Sequence, residues 1–375
     1  MINAFKHKFV KIQNLSNFLD KFMKLFLRYT GWVYIKYFVI IFIALELFYV
    51  GIDTLTNLKD LPKSANLQLI YVGLTALTAI NYVLPLSLVF ALIVAKINMI
   101  RNNELVSFYS LGIPKNSLIL APFSIALLVT FCYILLSATP FAYARDYQKN
   151  LMSFQSNSKS SNSIFLKYED KFIYIQELYP NLGLANNIRI FNVQNHDITG
   201  QITAQKAKFE NNKWKLLDVN IIKLPANLEL NTTGYIQSVE KELTLLNGFK
   251  PKTIENIYQT NSSYSISDAL DSLKTLKNEG INLGKIKSTL YSATFFPLFA
   301  PLMVLILYYY LPITGRFFNL ALASFIYVIV TLCIWGVLFV LIRFSSNGVI
   351  MPEIGIIAPI ILLGAFAFKK FYENR

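Results

Sequence analysis

Residues able to carry chemistry are sparse in this sequence. The run GINLGKIKST, Gly280 to Thr289, has a passing likeness to a phosphate-binding loop. It places three residues between Gly280 and Gly284 where that loop needs four, and Ile286 follows Lys285 where a Ser or Thr hydroxyl would hold magnesium. It reads as a turn before a helix. The two histidines, His7 and His196, are far apart in sequence and predicted to lie on opposite sides of a membrane, so no histidine-rich zinc site is expected, and His196 reads as a turn residue. No G-x-S-x-G elbow supports a nucleophilic triad built on it. What remains is a set of charges in unusual company. Glu46 and Asn81 sit inside long apolar runs, Asp53 near the end of the first, and Lys59, Lys63 and Arg343 just beyond such runs. Glu104 belongs to RNNELVSFYSLGIPKNS, a polar stretch pinned between two apolar ones. An ionised carboxylate in mid-bilayer costs on the order of 3 kcal/mol. Glu46 therefore belongs either to a substrate path or partner contact, or to a protonated or paired site against another helix.

The elements that hold these residues follow from composition. Of 375 residues, 54% are hydrophobic and 15% charged, too apolar for an ordinary soluble protein. A spanning helix needs about 20 apolar residues, because lipid gives its backbone no hydrogen-bond partners. Six stretches qualify: Trp32 to Leu55, Leu69 to Ile97, Leu118 to Ala142, Tyr291 to Leu311, Leu320 to Ile342 and Pro352 to Phe368. The net charge of +14 could suggest nucleic acid, but its placement speaks for a membrane topology instead. Lys6, Lys8, Lys11, Lys21, Lys24 and Arg28 precede the first span; Lys96, Arg101 and Lys115 follow the second; Arg316 follows the fourth; Lys369, Lys370 and Arg375 close the chain. Alternating spans put all of these on the cytoplasmic side, with both termini and the RNNELV stretch. Lys59, Lys63 and Arg343 then lie on the far side, where they would suit an anionic headgroup.

Residues 1–31 place Phe5, Phe9, Ile12, Leu15, Leu19, Phe22 and Phe26 at helical spacing between lysines, an interfacial amphipathic helix, with Met23 as an alternative start. Residues 32–142 hold spans one to three with a helix over 101–113, in which Asn102 or Asn103 caps the start and Gly112 and Pro114 end it. Residues 143–264 change to period 2 in KFIYIQEL, NNIRIFNV, QITAQKAKFE and KWKLLDVNIIKL, with NHD and NNK as turns, which predicts a small sandwich or jelly roll. Residues 265–287 contain a connecting helix with a Ser265–Asp268 capping box, a Leu270, Leu273, Leu276 stripe and a stop at Gly280. Residues 288–375 hold the last three spans, with a bend expected at Pro297 and Pro301. Cys132 and Cys333 fall within spans, so no disulfide framework is implied, and the sequons at Asn231 and Asn261 read as chance. The fold class is an α-helical membrane protein with six transmembrane helices, three before and three after an inserted periplasmic β-jellyroll domain.

LFLRYTGW, RNNELVSFYSLGI, DKFIYIQEL, AQKAKFENNKWKLLDV, SISDALDSLKTLKNEG, FFPLFAPLMVLILYYYLPITGR and PEIGIIAPIILL follow one another across this layout. In that order they resemble the LptF/LptG permeases of lipopolysaccharide export, and LptG more than LptF. The resemblance implies an inner-membrane half-transporter that is not itself an ATPase and needs no cofactor. Its partners would be a second, LptF-type permease, a dimer of an LptB-type ATPase, and LptC-type and LptA-type periplasmic proteins that receive lipopolysaccharide; nucleic acid is not among them. Carried over residue by residue, Glu104 matches the acidic residue of the helix that docks in the ATPase, flanked by Val106, Phe108 and Leu111 as apolar contacts. Lys59 matches a basic residue near lipid phosphates, with Lys63 and Arg343 as further headgroup candidates. Spans one and five would line the gate, making Glu46 and Asp53 cavity candidates. Asp53 and Asp60 stand where LptG-like proteins can carry lysines. The competing readings are an LptF-like subunit, a permease for another lipid or lipoprotein, a scaffold whose β domain binds partners, and a membrane enzyme using Glu46 or Asp53.

Overall fold

The computed structural model describes residues 2–153, 161–168, 171–180, 182–194, 197–225, 234–251, 254, 264–276, 283–316 and 319–374, with residues 2–24, 153, 161–162 and 275–276 by backbone alone. His196, the two sequons and Gly280 fall outside the described residues, as do the side chains of the predicted amphipathic face before Leu25. The chain divides into two compact units. One comprises residues 1–59, 72–137 and 291–375; the other comprises 60–71 and 138–290.

The first unit is helical, and among the described residues six helical segments are long and apolar enough to cross a membrane. Helix α1 (Ile2–Thr56) runs without a break from the N-terminal segment into the first span. It is followed by α2 (Ala65–Arg101), the short α3 (Glu104–Ser110) and α4 (Lys115–Ser137). α4 stops five residues short of the expected Ala142, where Thr139 and Pro140 open a tight turn over Pro140–Tyr143. The fourth span is interrupted where the prolines predict it: α7 (Gly284–Thr294) gives way to a single 3-10 turn at Phe296–Leu298 before α8 (Phe299–Tyr310). Neither Pro297 nor Pro301 has an N–H to give to the helix ladder. α9 (Leu320–Ser346) is capped by the Asn319 side chain, and a wide turn at Glu353–Ile357 leads into α10 (Ala358–Glu373).

Helices α2 and α8 form the centre of this unit. Leu88, Val89, Leu92 and Ile93 pack with Phe299, Met303, Val304 and Leu307, and Leu118, Ile119 and Ile360 close around them. α1 approaches α4 at Gly31, where a Cβ would sit 3.2 Å from Ile125 Cδ1. The buried Tyr34 ties α1 to α2 by donating to the Leu88 carbonyl at 2.9 Å. α1 and α9 keep long apolar faces open, with Ile43, Leu47 and Phe48 on one and Leu322, Phe325 and Val337 on the other.

The second unit carries α5 (Ala144–Ser153), strands β1 (Ser161–Tyr168), β2 (Lys171–Tyr179), β3 (Leu184–Gln194), β4 (Asp197–Glu210), β5 (Lys213–Lys223) and β6 (Ile236–Leu245), and helix α6 (Ile266–Leu276). The strands form one antiparallel sheet in chain order, the β insert expected between spans three and four. Period 2 puts one apolar row on a single face: Leu166, Ile173, Ile190 and Ile202 lie side by side across four strands. Asn211 and Asn212, both at positive φ, make the two-residue turn that joins Glu210 to Lys213. Nearer the start of β5, the buried Trp214 donates its indole N–H to the Phe249 carbonyl at 2.7 Å.

The capping box at α6 is half as expected. Ser265 Oγ accepts from the Asp268 N–H at 3.1 Å, but the Ser265 N–H turns to the Tyr143 hydroxyl at 3.4 Å instead of to Asp268. The predicted leucine stripe is only partly turned inward among the described side chains, with Leu273 half-buried. Leu270 is exposed, and Ala269 and Ser272 face inward, because the small side chains let the helix lie close to its neighbours.

Candidate functional site

The polar stretch between spans two and three folds as a helix of seven residues, shorter than the expected 101–113. Neither Asn102 nor Asn103 caps it through its side chain. Asn103 occupies the cap position at φ 58°, whereas a capping side chain needs the extended region to reach the next N–H groups. Asn102 Nδ2 instead donates to Glu104 Oε1 at 3.1 Å. The other end stops as the sequence predicts. Gly112 takes φ 80°, its N–H bonds the Tyr109 carbonyl and the Ile113 N–H bonds that of Phe108, the paired closure of a left-handed helix stop.

Glu104 therefore stands at the head of a two-turn helix whose own geometry leaves it half satisfied. Its Oε2 atom is buried and meets no donor at full hydrogen-bond geometry, and the Tyr29 hydroxyl is the group beside the carboxylate. Such an atom costs about 1–3 kcal/mol, or more when charged, until a donor meets it. Around it α1, α3 and α4 enclose a groove of about 970 Å³, with Tyr29, Trp32, Phe108, Leu111 and Ile125 on its walls and Arg28 on its rim. Leu105 anchors α3 by being buried in the helical core, and Phe108 lies half-buried with its ring 6.1 Å from that of Tyr29. Val106 and Leu111 are exposed at 44% and 63%. Of the four residues predicted for docking, Glu104, Phe108 and Leu111 share this groove, and Val106 faces away from it. The arrangement can accept a cationic or N–H donor group at its floor and apolar side chains at its edge.

The remaining predicted residues do not converge on that groove. Lys59 and Lys63 are exposed, Lys59 in a 3-10 turn over Leu58–Asp60 after α1 and Lys63 just before α2. Arg343, also exposed, holds its guanidinium 5.2 Å from the centre of the Phe339 ring. Asp53 accepts from Thr75 Oγ1 at 3.5 Å, a tie between α1 and α2. Glu46, two helical turns earlier, keeps a buried Oε2 without a hydrogen-bond partner. Asn81 proves to be structural: its Oδ1 receives the Tyr133 hydroxyl at 2.6 Å, joining α2 to α4.

Sequence reasoning missed the side chains that join α1, α2 and α9. Tyr49 stacks on Tyr82 at 6.0 Å, Tyr82 meets Phe339 at 6.3 Å, and Phe339 stacks on Trp335 at 5.5 Å. Aromatics are common in apolar spans, so only the helix packing singles these four out. Arg343 ends the row, and Trp335 contributes a buried indole N–H without a partner.

This layout of spans, inserted sheet and interspan helix has a counterpart among known proteins. The profile of the lipopolysaccharide export system permease LptF/LptG matches residues 28–372. No curated protein matches the chain. The matched region takes in all six membrane-capable helices nearly end to end, the β sheet and the Glu104 helix. The chain belongs to the LptF/LptG family of lipopolysaccharide export permeases.

Proposed function

We propose that this permease is the LptG-type half of an ATP-driven lipopolysaccharide extractor, coupled to a separate LptB-type ATPase dimer through α3. The observation that carries the coupling is the Glu104 carboxylate at the head of a short helix, one oxygen buried without a donor at full hydrogen-bond geometry, beside the exposed Leu111. A docking partner that brings a cation or N–H donor to Glu104 and covers Leu111 satisfies both at once. The positive flanks support a topology with α3, both termini and the ATPase in the cytoplasm and the β domain in the periplasm.

The open faces of α1 and α9 suit a second, LptF-type permease and the acyl chains of the substrate between the two halves. Lys59, Lys63 and Arg343, all exposed, would face the lipid phosphates on the periplasmic side. ATP binding closes the ATPases, α3 moves with them, the cavity narrows, and the lipid passes to the β domain and on to LptC-type and LptA-type carriers. The motif resemblance favours the LptG type.

The test is recovery of the ATPase with the affinity-tagged chain from its native membrane in mild detergent. Glu104→Lys is expected to reduce that recovery at least about tenfold, since losing one side of a buried charged contact costs several kcal/mol. Full recovery together with normal lipid export would contradict docking through Glu104.

A further inference from the structure

The charge pattern counts Lys96 among the cations at a membrane rim, but the residue is inside the protein. It lies on α2, five residues before the helix ends, and is 4% exposed. Its ammonium donates to the Leu311 carbonyl at 2.9 Å and to the Tyr308 carbonyl, and stands 4.2 Å from the centre of the Tyr308 ring. Both carbonyls belong to the end of α8, where the chain has run out of helix donors. At the Tyr308 carbonyl the shortage is built in: the residue four places on is Pro312, which has no N–H. Lys96 supplies the missing donors and sets a positive charge at the negative end of the helix.

The two tyrosines that follow are committed as well, each to a different helix. Tyr308 itself pairs its hydroxyl with that of Tyr109, on α3, at 3.3 Å. Tyr309 donates to Asn116 Oδ1 on α4 at 2.7 Å, and Asn116 Nδ2 donates onward to the Phe371 carbonyl of α10 at 3.0 Å. The Tyr310 carbonyl accepts the Tyr327 hydroxyl of α9 at 2.6 Å. One turn of helix is thus bonded to α2, α3, α4 and α9, and through Asn116 to α10. The backbone itself ties α3 only to α2 and α4, in the first half of the chain, through turns that pass left-handed residues at Asn103 and Gly112. Tyr109 links it to the second half.

We propose that Lys96 and the Tyr308–Tyr310 turn form a transmission hub that makes a displacement of α3 a displacement of α8, α9 and α10 together. These are positioning residues for transport, and the inference rests on the reading that α3 receives the ATPase stroke. Buried, fully bonded contacts resist shear, and losing a link lets α3 rock on its two turns while the second half stays behind.

The experiment uses the full-length chain assembled with its partner permease and ATPase in proteoliposomes loaded with lipopolysaccharide, and reads ATP hydrolysed and lipid extracted in the same sample. Lys96→Met keeps the aliphatic stem and removes the donors; Tyr109→Phe removes one hydroxyl. Both are expected to keep ATPase recovery and ATP turnover within about twofold of the parent, while lipid extracted per ATP falls about tenfold for Lys96→Met and about threefold for Tyr109→Phe. A destabilised protein would lose both activities in step. If Lys96→Met does not fold, Tyr109→Phe decides alone. Unchanged extraction per ATP in a working assembly overturns the hub and leaves the docking reading intact. A parent assembly that recovers no ATPase overturns the docking reading, and the hub with it.

Discussion

Asp268 shows how a single carboxylate can organise the start of a helix. It receives the Tyr143 hydroxyl, Ser265 Oγ at 3.0 Å and Lys250 Nζ at 3.3 Å, and Lys250 also reaches Asp271 at 2.8 Å. Burial pushes Asp268 up, but the hydrogen bonds from Tyr143, Ser265 and Lys250 outweigh it and hold the carboxyl below its ordinary value of 3.8. Burial and the neighbouring carboxylate push Tyr143 up, so it remains a donor over the whole working range. A depressed folded value means that the stability Asp268 contributes is complete above 3.8 and drains away as pH falls through the folded value. Protection from hydrogen exchange at the first turn of α6, corrected for the intrinsic rate at each pH, is therefore expected to fall on acidification below that point, and Asp268→Asn to flatten the dependence; identical profiles would contradict the assignment. Tyr143→Phe should loosen the same turn by about 2 kcal/mol at neutral pH, measured the same way. Ser265 and Asp268 were legible as a cap, whereas Tyr143 was not: it lies 122 residues from Ser265 in sequence, and no local pattern pairs them.

Elements were legible where one physical requirement dominates. The bilayer's need for long apolar runs exposes the spans, the two prolines expose the break before α8, and alternating Ile residues with a two-Asn turn expose the β hairpins. Features that depend on what packs opposite were not. Lys96 looks like any lysine near the end of a span, and the brevity of α3 follows from Asn103 turning left-handed. The wide turn at Glu353–Ile357 is a third case. A Cβ on Gly355 would fall 2.0 Å from Ser345 Oγ and 3.3 Å from the Leu341 carbonyl on α9. Ser345 is itself buried and bonded to that carbonyl at 3.0 Å, so it has little room to withdraw. Gly355→Ala should force the turn away from α9 and cost about 1–3 kcal/mol, seen as a lower thermal midpoint in detergent. Adding Ser345→Ala should recover part of the loss, and an unchanged midpoint for the single variant would contradict the close approach.

At the scale of the molecule, a multi-pass inner-membrane permease presents three features that ask for partners: a short helix with a half-satisfied acid, and two spans with open apolar faces. Family membership assigns the system as lipopolysaccharide export, and the chemistry of these surfaces says how the parts would meet. On the proposed reading the acid would take a donor from the ATPase, the apolar spans would take a second permease and acyl chains, and the hub behind α3 would carry motion between the halves. The candidate site was legible in part. Glu104 stood out by its match to the family's docking helix, with Val106, Phe108 and Leu111 as apolar residues beside it, but α1 and α4, which supply the rest of the groove, are distant in sequence. The most direct measurement is mass spectrometry of the tagged chain purified intact from its native membrane in mild detergent. An ATPase dimer, one further permease and bound lipopolysaccharide in a single assembly is the predicted result; a chain recovered without an ATPase and carrying only bulk phospholipid would contradict the account.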